Sequence, residues 1–236
     1  MRFDKPLIAG RLIRRYKRFL ADVELTDGRL VTAHTPNTGS MMGCADPGSR
    51  IWLRDTGSST RKYPLSWELV ESENGTLVGI NTGLANQLVV EAIATGVIPQ
   101  LQGYQVMRRE VPYGRERSRI DLLLQGEHLP DCFVEVKNVT LKDSTGCARF
   151  PDAVTDRGAR HLRELQACVH EGHRAVMVYC VQRGDVTAFG PADAIDPEYG
   201  RTLRAAVAHG VGLIACQAIP TVRAIVVERT LPIRWD

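Results

Sequence analysis

The sequence predicts a two-domain α+β chain, with a small all-β barrel over residues 1–80 and an α/β sandwich over residues 81–236. Short strand-like runs separated by turn residues fill the first part, whereas apolar stripes at helical spacing alternate with strands in the second part. The 236 residues are 44% hydrophobic, which is enough to build one large core or two modest cores. The chain is therefore expected to be globular throughout.

The first part carries five strand-like runs between turn signals such as Asp27-Gly28 and Pro36-Asn37-Thr38-Gly39. Strands are predicted at 7–16, 20–25, 30–33, 50–54 and 62–70. About five short strands in this length suggest a small barrel such as an OB-fold, whose open face often binds oligonucleotides. Other small barrels fit the same pattern.

The second part mixes helices with strands. A helix is predicted at 82–95, because Leu84, Leu88 and Ile93 lie roughly on one stripe and Gly96 can end it. Further helices are predicted at 156–171 and 197–208, and strands at 104–111, 119–124, 132–138, 175–181, 211–218 and 222–228. This alternation is typical of an α/β sandwich.

Composition narrows the setting. No stretch approaches the roughly 20 apolar residues needed to cross a bilayer, and the first twenty residues lack the apolar segment of a signal peptide. We expect a cytoplasmic protein that does not enter a membrane. The six cysteines form no CxxC pair, which favours reduced thiols over disulfides or a zinc site.

Two carboxylates occupy neighbouring predicted strands. Side chains alternate along a strand, so Glu135 and Lys137 share one face with Phe133. Asp121, on the preceding strand, can lie near Glu135. Two carboxylates that close repel each other unless a cation lies between them, and oxygen ligands favour Mg²⁺ or Mn²⁺. Lys137 could then orient or deprotonate an attacking water, or neutralise charge on a phosphate.

This arrangement resembles the PD-(D/E)xK nuclease superfamily, in which an Asp at a strand end and an Asp/Glu-x-Lys on the next strand hold the metal. The resemblance implies Asp121, Glu135 and Lys137 as catalytic residues, with Ile120 in place of the motif's proline. It also offers Glu91, on the preceding helix, as a further metal ligand beside Asp121 and Glu135. The alternatives are a solvated Glu–Lys pair on an edge strand and a solvated helix glutamate.

Basic residues form two clusters with different surroundings. The first is interleaved with Tyr16 and Phe19 and consists of Arg11, Arg14, Arg15, Lys17 and Arg18; the second approaches Asp121 and consists of Arg108, Arg109, Arg115, Arg117 and Arg119. Such clusters can neutralise phosphates and stack bases. From them we select as DNA contacts Arg14, Arg15, Tyr16, Lys17, Arg18, Arg117 and Arg119. The alternative for the first cluster is a solvated basic face with its aromatic residues in the core.

Two polar segments complete the candidate site. The stretch from His34 to Ser40 places His34, Asn37 and Thr38 in one loop, which suits contact with phosphate, sugar or the second domain. The predicted helix at 156–171 could bring Arg160, His161 and Glu164 to the site. For Arg160 and Glu164, an i,i+4 ion pair on the helix surface is the alternative.

Long blocks resemble the sugar fermentation stimulation protein A (SfsA) family, namely "LIRRYKRFLADVEL", "AHTPNTGSM", "NTGLANQLV", "SRIDLLL", "FVEVKNVTL" and "FPDAVTDRGARHLREL". The resemblance implies an N-terminal OB-like domain, a C-terminal nuclease-like domain, DNA binding without sequence specificity and a regulatory role in sugar, notably maltose, utilisation. Three functions stay open: a Mg²⁺-dependent nuclease, a DNA-binding regulator that does not cut, and an RNA-binding or RNA-processing protein.

Overall fold

The computed structural model describes residues 1–114 and 118–235, and its N-terminal part is a closed β-barrel. The strands are β1 (Ile8–Tyr16), β2 (Leu20–Leu25), β3 (Leu30–His34), β4 (Arg50–Asp55), β5 (Leu65–Glu71) and the short β6 (Leu77–Gly79). Antiparallel neighbours follow the order β3-β2-β1-β4-β5-β6, and a parallel pairing of His34 with Ser66 joins β3 to β5 and closes the barrel. The first five strands lie within three residues of the predicted ones; β6 was not predicted.

Alternating apolar side chains fill the barrel. Leu12, Val23, Ile51 and Leu53 are almost completely buried and surround Trp67. The indole N–H of Trp67 donates a 2.9 Å hydrogen bond to the carbonyl of Leu69, so the one polar group of this large side chain is satisfied inside the core. Burial alternates with a period of two in the middle of β1. In β4 and β5 consecutive residues are buried, because Trp52 and Leu69 pack against the second part of the chain while their neighbours face the barrel core.

The C-terminal part is a six-stranded mixed sheet between helices. Its elements are α1 (Ala85–Ala94), β7 (Val106–Tyr113), β8 (Ser118–Gly126), β9 (Leu129–Val139), β10 (Leu141–Lys142), β11 (Cys147–Phe150), α2 (Asp156–His170), β12 (Arg174–Val181), β13 (Ala188–Pro191), α3 (Pro197–Ala208), β14 (Gly212–Pro220) and β15 (Ile225–Leu231). The large sheet has the order β15-β14-β12-β9-β8-β7, with β12 parallel to both β9 and β14. A small sheet, β10-β11-β13, lies beside it.

The helices cover opposite faces of the large sheet. Leu88 of α1 packs in one apolar cluster with Val134 and Val136 of β9. Leu162 of α2 and Tyr199 of α3 pack in a second cluster on the other face. This is the predicted α/β sandwich. No helix in residues 1–114 and 118–235 is long and apolar enough to span a membrane.

Helix α1 begins later than predicted. Residues Thr82–Leu84 form a single 3₁₀ turn, and the α-helix starts at Ala85. The side chain of Asn81 accepts a 3.0 Å hydrogen bond from the N–H of Gly83, so its capping interaction is made to the 3₁₀ turn. The predicted start of the α-helix at residue 82 was therefore wrong. Asn81 marks where the first helical turn begins, but a capping residue does not show whether that turn is α or 3₁₀.

The barrel and the sandwich share a core. Trp52 and Leu69 of the barrel belong to the same buried apolar cluster as Leu88 of α1. A main-chain hydrogen bond of 2.9 Å also runs from Gly79 at the end of β6 to Gln182 just after β12. The two parts are therefore joined by buried apolar contacts as well as by the chain.

Candidate metal and nucleic-acid site

The site lies where β8 and β9 part. Their described ladder ends at the pair Leu122 and Val134, and the next residues along the two strands are Asp121 and Glu135. One oxygen of Asp121 accepts a 2.7 Å hydrogen bond from the main-chain N–H of Val136. The carboxylate is thus fixed against the strand segment that carries Glu135 and Lys137.

Asn86, near the start of α1, was missed by sequence reasoning. Its side-chain amide donates a 2.8 Å hydrogen bond to the second oxygen of Asp121. The block "NTGLANQLV" contains this residue, but an asparagine one turn into a helix gives no local signal of a partner 35 residues away. Asn86 and the Val136 N–H together leave the Asp121 carboxylate little freedom to rotate.

Glu135 is buried, with 2% of its surface exposed, and its two oxygens have different surroundings. Oε1 accepts a 2.6 Å hydrogen bond from the ammonium of Lys137 and contacts Nδ1 of His161. Oε2 is buried and has no hydrogen-bond partner in the described part of the chain. A buried carboxylate oxygen without a partner is costly, which is the situation expected of an atom kept for a cation.

His161 of α2 reaches the site from the face opposite α1. Its Nδ1 lies 3.2 Å from the ammonium of Lys137, and Arg157, one turn earlier, directs its Nε to the other ring nitrogen at 3.4 Å. Thr155 caps the helix by accepting a 3.0 Å hydrogen bond from the Gly158 N–H, which fixes where this turn begins. Helix α2 thus carries a polar side chain into an otherwise apolar interface.

The other two residues predicted on this helix lie elsewhere on α2. Glu164 is buried under the turn after β7, where a Cβ at Gly114 would collide with its carboxylate. Arg160 is half-buried on the same helix. The structure therefore brings His161 into contact with Glu135 and Lys137, and places Glu164 against the hairpin.

The two carboxylates are affected in opposite directions by their surroundings. Burial, reinforced by the negative charge of Glu135, raises the pKa of Asp121 to about 6. Burial also opposes ionisation of Glu135, but the contact with His161 and the charge of Lys137 outweigh it and lower the pKa of Glu135. Near neutral pH both carboxylates are ionised, and because Lys137 is paired with Glu135 it is the charge of Asp121 that favours a further cation.

The donor set fits a hard divalent metal. Carboxylate oxygens suit Mg²⁺ or Mn²⁺, which complete their coordination with water and phosphate oxygens. Asp121 and Glu135 supply these oxygens, and Oε2 of Glu135 is the one without a partner. Within residues 1–114 and 118–235, no group of three His, Cys, Asp or Glu residues converges as a ready-made metal cage. A metal here would depend on two carboxylates, main-chain carbonyls, water and substrate.

Glu91, the predicted third metal ligand, interacts with residues other than Asp121 and Glu135. Its carboxylate forms a 2.5 Å ion pair with the amino group of Met1 and accepts a hydrogen bond from Gln87. At 3.6 residues per turn, Glu91 lies about 140° around the helix from Asn86, the residue that reaches Asp121. The predicted three-carboxylate set was therefore wrong, because the face of α1 toward the site carries an amide and not an acid.

A cavity of about 350 Å³ opens at the site, between the two domains. Asp121 and Lys137 line it, whereas Glu135 is buried and is not part of the lining. On the barrel side it is lined by part of the loop at residues 36–40, and further around by side chains that include Asn138, Thr140, Arg149 and Asp152. The loop predicted to contact a ligand or the second domain thus lines the same cleft as Asp121.

Contacts from both domains hold loop 36–40. Thr82 donates a 2.9 Å hydrogen bond to the carbonyl of Pro36, and Ser40 donates one of 2.7 Å to the carbonyl of Asp152. Asn37 is buried and accepts a hydrogen bond from the Gly39 N–H, which closes a tight turn. Thr38, at the tip, is exposed. The loop is therefore a fixed wall of the cleft with one side chain directed outward.

Arg15 is a structural residue of this loop. Its guanidinium donates hydrogen bonds to the main-chain carbonyls of Arg18, Asn37, Gly39 and Ser40, over distances of 2.8 to 3.3 Å. These bonds engage both terminal nitrogens of the guanidinium, whereas its Nε is buried and has no hydrogen-bond partner in the described part of the chain. Two of the basic residues predicted to contact DNA, Arg15 and Arg18, thus donate hydrogen bonds to the protein's own main chain.

The remaining predicted contacts that the structure describes lie outside the lining of the cavity. Arg14 pairs with Asp22 at 2.8 Å and lies over the ring of Tyr16, whose hydroxyl also donates to Asp22. Lys17 and Arg18 are exposed in the turn that follows. His34 is half-buried at the end of β3, Arg119 is exposed on β8, and Arg117 lies outside the described residues.

Comparisons with known proteins identify the family. A family model described as "Sugar fermentation stimulation protein RE domain" matches residues 83–223, and one described as "SfsA N-terminal OB domain" matches residues 13–80. The chain belongs to the SfsA family. Sugar fermentation stimulation protein homologs from Citrifermentans bemidjiense and Thioalkalivibrio sulfidiphilus are 59% and 57% identical to it, over 99% of this chain and 99% and 98% of their own.

A solved structure also matches over the full length. The structure of Pyrococcus furiosus SfsA in complex with Ca²⁺ superimposes with a TM-score of 0.89 at 27% sequence identity, covering 99% of this chain and 98% of that one. The predicted fold class, an OB-like barrel followed by a nuclease-like α/β domain, is confirmed, as is the predicted SfsA family.

Proposed function

We propose that this SfsA protein binds DNA without sequence specificity and cleaves phosphodiesters with a divalent metal. The observation that carries the proposal is the hydrogen bond from the Val136 N–H to Asp121, because it brings both carboxylates and Lys137 to one short stretch of β9. Two clustered acids are unfavourable beside a bound phosphate unless a cation offsets them. Their presence next to a lysine is the arrangement that metal-assisted hydrolysis needs.

Each residue has a distinct task in this mechanism. Asp121 and Glu135 would hold the metal, which when bound would polarise the phosphate and lower the pKa of a water. Asn86 and the Val136 N–H keep Asp121 in place. Lys137 provides a positive charge at the cavity wall, where it can orient a water or offset charge on the reacting phosphate.

The relative from Pyrococcus furiosus supports an oxygen-ligand site, because its structure is a complex with Ca²⁺. Calcium takes oxygen ligands almost exclusively, as does Mg²⁺, but with longer bonds and looser geometry. We infer that this chain binds Mg²⁺ or Mn²⁺ for turnover and that Ca²⁺ occupies the same carboxylates.

A second function is favoured by one specific contact. Both Lys137 and His161 engage the same oxygen of Glu135, so its charge is already offset without metal. A protein in this state could bind DNA and regulate sugar genes without cutting, as the relatives' name would suit. Such a regulator would bind DNA equally well with and without divalent ions.

Nuclease assays separate the two functions. Purified protein is incubated with single-stranded, duplex and branched DNA, and with RNA, in EDTA, Mg²⁺, Mn²⁺ or Ca²⁺. We expect cleavage of DNA with Mg²⁺ or Mn²⁺, a loss of at least about 100-fold in Glu135→Gln and Lys137→Ala, and unchanged cleavage in Glu127→Gln, an exposed residue of the β8–β9 turn. DNA binding without cleavage under every condition would establish the regulator, and cleavage of RNA alone would reject both.

A further inference from the structure

We propose that the cleft takes a single unpaired DNA strand, and that Phe19 stacks on a base of that strand beside the entrance. This inference rests on the proposed function only in placing the reacting phosphate near Lys137. It adds a substrate class, single-stranded DNA, and a residue with a defined task in selecting it.

Phe19 is the first observation. It lies in the turn at residues 17–19 between β1 and β2, and 44% of its surface is exposed. The sequence allowed this ring to belong to the barrel core, and the structure excludes that. An exposed aromatic ring beside the exposed Lys17 combines a stacking surface with a positive charge for phosphate, which is how proteins hold single strands without reading sequence.

The backbone of this turn is the second observation. Lys17 and Arg18 have φ angles of 48° and 64°, in the left-handed region that non-glycine residues seldom adopt. Two such residues in succession are unfavourable unless surrounding contacts hold them. The N–H of Thr35 donates a 2.7 Å hydrogen bond to the Phe19 carbonyl, which anchors the last residue of the turn.

Direct contacts join the turn to the cavity wall. The guanidinium of Arg18 donates two hydrogen bonds, of 3.0 and 2.8 Å, to the carbonyl of Thr38. Arg15 in turn donates to the carbonyls of Arg18 and Gly39. Thr38 and Gly39 line the cavity that Lys137 lines from the other side. Phe19 therefore belongs to a unit that ends at the candidate site.

The size of the cavity selects between one strand and two. Its volume of about 350 Å³ is at the low end of the range of roughly 300–1,000 Å³ for small-molecule sites. We infer that a space of this size takes one nucleotide unit, and that a duplex would bring a second backbone and a paired base against loop 36–40. Because Thr82 and Asp152 of the second domain hold that loop, it cannot yield without breaking contacts in both domains.

Binding measurements without metal test the inference independently of catalysis. The full chain in EDTA is titrated into fluorescein-labelled oligo-dT of about 20 nucleotides and into a blunt hairpin duplex, with fluorescence anisotropy as the readout. We expect the wild type to bind oligo-dT at least about tenfold more tightly than the duplex. Phe19→Ala should weaken oligo-dT binding about tenfold, in line with the loss of one stacked base, and leave duplex binding unchanged.

Matched variants keep the result interpretable. Leu30→Ala removes another exposed apolar side chain of the same barrel, 72% exposed, at the opposite end of the β2–β3 hairpin, and should change neither affinity. Phe19→Trp keeps a stacking ring and should bind at least as tightly as the wild type. Three results would overturn the proposal. They are equal affinity of the wild type for duplex and single strand, an oligo-dT affinity that does not change in Phe19→Ala, and tighter binding of oligo-U than of oligo-dT.

The cleavage arm separates this inference from the nuclease function. With Mn²⁺, cutting of continuous duplex but not of single strands would reject the single-strand selection and leave the nuclease intact. Phe19-dependent binding of oligo-dT with no cutting of any substrate would reject the nuclease and leave the strand-binding inference intact. Cutting confined to single strands, and reduced about tenfold in Phe19→Ala at limiting substrate, supports both.

Discussion

Asp121 and Val136 are joined by a 2.7 Å hydrogen bond from the main-chain N–H of Val136 to the Asp121 carboxylate. Val136 lies between Glu135 and Lys137, so the position of one acid is set by the main chain that carries the other acid and the lysine. The bond also ends the regular pairing of β8 with β9, because a strand N–H that would seek a carbonyl is taken by a side chain.

Divalent metal should stabilise the folded protein through Asp121. At a metal concentration about 100 times Kd, the gain is about 2.7 kcal/mol, which corresponds to a rise of roughly 5–10 °C in Tm for a chain of this size. Thermal unfolding with Mn²⁺, Mg²⁺ or EDTA measures it. Asp121→Asn should remove the metal-dependent shift, and Asp4→Asn, an exposed carboxylate at the N-terminus, should keep it. A shift that survives in Asp121→Asn would place the metal elsewhere.

Without metal, Asp121 should make stability depend on pH between about 4 and 6. Its pKa is raised to about 6 in the folded protein, from an ordinary value near 3.9. The folded state therefore holds the proton more tightly, and the resulting stability is present below pH 4 and lost as pH rises through 6. The free energy of unfolding should fall by about 2–3 kcal/mol over this pH range because of Asp121.

Urea unfolding in EDTA from pH 4 to 8 measures this dependence. The difference in unfolding free energy between the wild type and Asp121→Asn isolates the contribution of this one carboxyl group, because the other titrating groups are common to both proteins. If this difference in unfolding free energy did not vary between pH 4 and 7, the raised pKa of Asp121 would be contradicted.

His161 should act by positioning Glu135. His161→Ala removes the contact that, together with Lys137, orients Oε1, and the expected effect is a loss of about 10–100-fold in kcat with DNA affinity unchanged. Metal affinity, measured by calorimetry, should fall as well. His161→Gln, which retains a side-chain donor, should recover part of the loss, and His170→Ala, at the exposed end of the same helix, should behave as the wild type. A change in KM alone would point to substrate contact instead.

Neighbouring arginines on β1 should differ sharply in their effect on stability. Arg15→Ala removes hydrogen bonds to four main-chain carbonyls of the turn and of loop 36–40, and should cost about 2–4 kcal/mol of unfolding free energy. Arg14→Ala removes an exposed ion pair with Asp22 and should cost less than about 1 kcal/mol. Equilibrium unfolding in urea compares the two variants, and equal costs would show that Arg15 does not hold the loop.

Local sequence patterns predicted most of the long elements. Helix α3 begins and ends at the predicted residues, because Asp196 caps it and Pro197 occupies its first turn. The short strands β6, β10, β11 and β13 were not predicted. Each has two to four residues, too few for a period of two to be recognised, and their existence depends on partners distant in sequence.

The candidate site shows the same division between local and distant information. The alternation in β9 predicted that Glu135 and Lys137 share a face, and the structure has both in contact with His161. No pattern could distinguish Asn86 from Glu91 as the side chain that reaches Asp121, since that depends on the rotation of α1 about its axis when it packs on the sheet. The burial of Arg15 among carbonyls of loop 36–40 likewise depends on tertiary packing alone.

The core that the two domains share determines how substrates can be selected. For the barrel to swing away from the sandwich, Trp52 and Leu69 would have to leave the cluster that includes Leu88 and enter water, at about 1.5–3 kcal/mol for each large side chain. The shared core therefore opposes a hinge motion in which the two domains open and close around a ligand. The cleft thus keeps its shape when a ligand arrives, and in the proposed function the thickness of a nucleic acid would decide whether it enters.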